Sequence, residues 1–109
     1  MWYHLTELDT ALRYGLQTVT VVNNNRSLNQ EKRGNERIYG GRTPGSDELW
    51  MLNDVDWARV AETMGCFGVT VRQPGELAGA LERALASGLP AVVDVKTHIE
   101  GIAPPPWTP

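Results

Sequence analysis

An uncharged run of β-branched residues, Thr-Val-Thr-Val-Val over 18–22, empties directly into three consecutive asparagines, Asn23, Asn24 and Asn25. Such a run reads as an interior strand of a parallel sheet, buried on both faces, and open α/β sheets bind their ligands outside the carboxyl ends of their strands. The asparagines sit at such an end. On residue chemistry alone they also suit a plain strand-ending turn, since asparagine tolerates left-handed backbone.

The periodicity around this strand supplies its layers. Leu5, Leu8, Ala11 and Leu12 recur at helical spacing, with Thr6, Glu7, Asp9 and Arg13 on the other faces and Gly15 as the stop. Asp54 or Asp56 caps a second helix in which Trp57, Val60, Ala61 and Met64 repeat, and Gly65 ends it. Residues 67–71, Phe-Gly-Val-Thr-Val, read as a strand. Gln73 and Pro74 open a third helix with Glu76 in its first turn and an apolar stripe of Leu77, Leu81, Ala84 and Leu85. Residues 91–95 form the last strand. Asp94 is out of place among its valines, so it should lie at a strand end or find a partner. Strand, crossover helix, strand, helix, strand predicts an α/β fold, a three-layer parallel sheet of three clear strands with right-handed crossovers and an exposed edge.

Between the strand and the second helix, residues 26–53 make a long polar segment with Gly34, Gly40, Gly41, Pro44 and Gly45. Its length implies a functional loop, partly helical over 27–32, or disorder. Arg26, Lys32, Arg33, Arg37 and Arg42 make it locally basic against Glu31 and Glu36, which suits either a solvated loop or an anion site. Residues 98–109 form a Pro-rich tail, extended from Ala103 to Pro109. It suits packing of Trp107 on the protein itself or a neighbouring subunit better than a ligand for a proline-recognising partner.

At 109 residues with 41% hydrophobic and 21% charged side chains, one domain is expected. A net charge of -3 argues against nucleic acid and anionic membranes as partners. Cys66 stands alone, which excludes an intrachain disulfide and suits a packed, inert thiol. With no signal-peptide pattern or apolar run long enough to span a bilayer, a cytoplasmic protein is expected. His4 and His98 have no spacing suggesting shared metal ligation, and surface or capping roles suit both. Trp50 and Trp57 are expected as core or interface anchors. No nucleophile or acid–base constellation is legible.

Residues 4–16, the strand, and then Asn24 and Asn25 resemble the second half of the cofactor motif of thiamine-diphosphate enzymes, in the acetolactate synthase-like branch. The resemblance continues through residues 56–65, 67–71, 76–85 and 90–95, covering nearly the whole chain. It implies the C-terminal part of a diphosphate-binding domain. By this likeness Asn25 supplies a side-chain oxygen and Ser27 a main-chain carbonyl to a magnesium ion holding the diphosphate, with Asn24 as the neighbouring amide. The family motif opens with Gly-Asp-Gly, and counting back from Glu7 places its metal-binding aspartate before Met1. Neither that element, the pyrimidine-binding domain nor the activating glutamate is found in the sequence. The expectation is therefore an incomplete magnesium–thiamine diphosphate site, inactive alone, that needs a homo-oligomer or the remainder of the enzyme as partner. The alternative is a free-standing oligomerisation or interaction module that has shed the cofactor.

Overall fold

A computed structural model of the chain describes residues 1–41 and 43–101. The expected tail from Ala103, with Trp107, and the Arg42 member of the basic run lie outside the described residues. The order of the main elements is α1 (Glu7–Arg13), β1 (Val19–Asn24), α2 (Asn29–Tyr39), α3 (Trp57–Thr63), β2 (Phe67–Val71), α4 (Leu77–Ala86) and β3 (Ala91–Lys96).

The three strands form one parallel sheet in the order β1-β3-β2. Apolar side chains alternate between its faces, as period-two geometry requires. On one side, Val92 and Val22 meet Leu8 of α1 and Trp57 and Ala61 of α3, with Cys66 beside them. On the other, Ala91, Val93 and Val71 pack against Ala80 and Ala84 of α4. The result is the expected α/β arrangement of a sheet between helical layers. One strand departs from expectation: β1 is an edge and not an interior strand, and its Val21 is 51% exposed. The central position belongs to β3, whose first four residues are all buried.

Within the segment expected to be a long loop, partly helical over 27–32, residues 29–39 form an eleven-residue helix that runs past the expected turn and holds no buried residue. Its only large apolar side chains, Ile38 and Tyr39, stand together at its end, so it gives no apolar period to read. Lys32 on this helix pairs with Glu100, beyond β3. A short antiparallel bridge between Ser27 and Met51 ties the two ends of the segment together, through Leu28 N–H to the Trp50 carbonyl and Leu52 N–H to the Arg26 carbonyl, each 2.8 Å. Trp50 and Trp57 are both buried.

Helix ends follow local chemistry. Asp56 caps α3, its carboxylate accepting from Arg59 N–H at 3.0 Å, while Asp54 turns instead to Lys96. Gly65, at φ 85°, takes the left-handed conformation that ends α3. Glu76 accepts from the N–H groups of Arg72 and Gln73 at 2.8 and 2.9 Å, and these bonds hold its carboxyl below the ordinary 4.5. A carboxyl depressed in the folded state stabilises fully above its unfolded pKa, and that contribution vanishes as pH falls through the folded value. Thermal unfolding of Glu76→Gln is therefore expected to lose less midpoint temperature than wild type on acidification from about pH 5 to about pH 3. Equal losses would remove the cap from the account.

Candidate functional site

The corner after β1 is built by its own side chains. Asn25 Oδ1 accepts from Ser27 N–H at 3.0 Å, closing a side-chain turn, and Asn24 Oδ1 accepts from Arg26 N–H at 3.3 Å. Between them Arg26 sits at φ 57°, the one non-glycine residue with positive φ among those described. A left-handed arginine is strained by about 1 kcal/mol or more, and such strain collects at functional corners. The turn swings Asn25 and Ser27 into a cavity of about 200 Å³ at the carboxyl end of the sheet. Asn23, Asn24 and Asn53 complete its polar wall, and Val22, Leu52 and Trp57 contribute the apolar one.

Asn24 stands apart from its neighbours. It is buried, and its Nδ2 donates to Asp94 Oδ1 at 2.9 Å and to the Val55 carbonyl at 3.1 Å. With its oxygen bonded to Arg26, this carboxamide is committed within the protein. Asn25 is only half-buried, and its amide oxygen keeps a second lone pair beyond the bond to Ser27. The Ser27 hydroxyl is buried with no hydrogen-bond partner among the described residues.

Asp94 is the member of this neighbourhood that sequence reasoning flagged without placing. It is completely buried in β3, and its carboxylate accepts from Asn24, from Trp57 N–H at the start of α3 (3.1 Å) and from Lys96 Nζ (3.0 Å). Burial pulls the Lys96 pKa down, but its bonds to Asp94 and Asp54 outweigh that and leave it raised above 10.5. The register explains the meeting: Val22 lies beside Asp94, so Asn24 is two residues further along on the same face.

The oxygen donors suit a hard cation, since magnesium takes carbonyl and amide oxygens readily. The orphaned Ser27 hydroxyl also fits a corner made for a polar occupant. Negative charge is what the cavity does not provide: its described lining holds Arg26 and no carboxylate. Nor does any group of three or more His, Cys, Asp or Glu among the described residues form a metal cluster. The residues thus fit the neutral part of a magnesium–diphosphate site and none of its negative charge. The basic side chains of α2 do not line this cavity. No helix among the described residues is long and apolar enough to cross a membrane.

Known proteins resemble this chain over most of its length. The chain is 38% identical over 91 residues to a probable acetolactate synthase of Mycobacterium bovis, covering 84% of this chain and 16% of that protein. It is 38% identical over 82 residues to the acetolactate synthase isozyme 3 large subunit of Escherichia coli, covering 75% of this chain and 14% of that subunit. A 2-hydroxyacyl-CoA lyase of Arabidopsis thaliana is 32% identical over 90 residues, covering 82% and 16% respectively. The chain thus spans about one sixth of the length of the first of these relatives. Residues 1–95 match the family described as thiamine pyrophosphate enzyme, C-terminal TPP binding domain, and the chain belongs to that family.

Proposed function

We propose that this chain supplies the neutral-oxygen side of a magnesium–thiamine diphosphate site in an acetolactate synthase-like enzyme and has no activity by itself. The observation that carries the reading is the strained turn at the carboxyl end of β1, which brings Asn25 and Ser27 together in one cavity. Asn25 would give its side-chain oxygen to the metal and Ser27 its main-chain carbonyl. Thiamine diphosphate, when bound, supplies the carbanion chemistry of its thiazolium ring. This chain's part is to orient the diphosphate and to keep one wall of the site apolar through Val22 and Trp57. A carboxylate from the remainder of the enzyme or from a partner copy would complete the charge balance.

Calorimetric titration with thiamine diphosphate tests this. Weak heat that requires magnesium is expected, reduced about tenfold or more in apparent affinity by Asn25→Ala, as for loss of a metal-orienting contact. Binding that ignores magnesium, or that survives Asn25→Ala unchanged, contradicts the reading.

The exposed edge favours a second reading, a free-standing assembly module. The outer backbone of β1, which no other strand among the described residues pairs, and the exposed Val21, Leu28, Met51 and Tyr3 are surfaces that proteins ordinarily cover. Light scattering on the purified chain is expected to show self-association, and a stable monomer opposes this reading.

A further inference from the structure

We infer that Asp94 is a positioning residue for this corner, fixing the polarity of the Asn24 carboxamide and, through it, the turn that presents Asn25 and Ser27. The inference rests on the magnesium–diphosphate reading of that turn. Asp94 is fully buried and paired with Lys96 at 3.0 Å, and a carboxylate in an ion pair only accepts hydrogen bonds. It can therefore face only the Nδ2 end of Asn24. The Val55 carbonyl, the other group on that side, makes the same demand. Turning the carboxamide over would set its oxygen against Asp94 and the Val55 carbonyl, and its NH2 against Arg26 N–H. Every contact would become like against like. With Nδ2 held at 2.9 Å from Asp94, the Asn24 oxygen points at Arg26 N–H and supports the left-handed backbone that carries Asn25 and Ser27 into the cavity. The same carboxylate anchors Trp57 N–H at 3.1 Å, so the cavity's apolar wall and its amide wall share one reference point.

Asp94→Asn is the informative substitution, because it keeps the shape and presents an NH2 group to a site lined by donors. The full chain, isotope-labelled, is followed by NMR while manganese pyrophosphate is titrated in, and the readout is paramagnetic broadening of the Asn25 side-chain amide. In Asp94→Asn the resonances of β2 and α4 are expected to stay in place, and the Asn24 carboxamide to exchange its hydrogens faster. The manganese pyrophosphate needed to broaden Asn25 should rise about tenfold, the usual scale for loss of a residue that orients a metal ligand. A purely structural role would lower the unfolding temperature and leave that broadening curve unmoved in the folded protein, which overturns the assignment. Absence of broadening at Asn25 in the wild-type chain overturns the magnesium–diphosphate reading itself, and this role with it. Should Asp94→Asn fail to fold, Asn24→Ser reads the link from its other end, since Asp94 retains Trp57 and Lys96. Weakened broadening there supports the link, and unchanged broadening overturns it.

Discussion

Gly68→Ala is expected to destabilise the chain by about 4 kcal/mol, toward the upper end of what overpacking does. A Cβ at this position would lie 2.1 Å from the Ala58 carbonyl oxygen, 2.7 Å from its carbon and 3.0 Å from its Cα. All three are backbone atoms, so no side-chain rotation relieves the clash. Helix α3 would have to lift away from β2, loosening Trp57 and Ala61 from the core and pulling Trp57 N–H away from Asp94. Domains have about 5–15 kcal/mol of total stability, so a large share of the folded population is at stake. Urea unfolding measures the loss, with Gly75→Ala as control because a Cβ there meets nothing within 4 Å. The control should stay within about 0.5 kcal/mol of wild type. Equal midpoints for Gly68→Ala and wild type would mean that α3 does not press on β2 as described.

Asp94→Ala should cost about 3–5 kcal/mol, the scale for breaking a buried charge pair from one side. Its removal takes one acceptor from each of three donors: the buried Asn24 amide, the Trp57 N–H and the Lys96 ammonium, whose side chain is 19% exposed. Lys96 keeps Asp54 and the Val55 carbonyl, and the Asn24 amide keeps the Val55 carbonyl as well. Lys96→Met, by contrast, leaves the fully buried Asp94 carboxylate with neutral donors only, and should cost at least as much. Chemical denaturation of both variants decides the matter, and a much smaller loss for Lys96→Met would place the stabilisation in the amide network and not in the ion pair.

Local signals were enough for the three-layer framework. Apolar spacing marked α1, α3 and α4, and β-branched runs marked the strands. The position of β1 in the sheet was not legible, because strand order depends on where distant segments return. Val21 has the same chemistry as the fully buried Val93 beside it in register, and only β3's central place makes one exposed and the other buried. Helix α2 was legible only as partial helicity over 27–32, because it holds no buried residue and carries Gly34 mid-length, so neither hydrophobic period nor propensity announces its full length. At the corner, the asparagines and Ser27 could be picked out by residue type and family likeness. The division of labour between Asn24 and Asn25 could not, since it turns on a partner 70 residues away. Asp94 did carry a signal, an acid amid valines. Naming its partner required the parallel register that puts Val22 beside it. Gly68 read simply as a strand glycine until the carbonyl of Ala58 lay against it.

A crystal structure of the chain soaked with magnesium and thiamine diphosphate tests the central claim most directly. The account predicts one ion at about 2.1 Å from both Asn25 Oδ1 and the Ser27 carbonyl oxygen, with the diphosphate entering the cavity at the end of β1. A diphosphate held without metal by Arg33 and Arg37 of α2, or an ion seated away from Asn25, would contradict it.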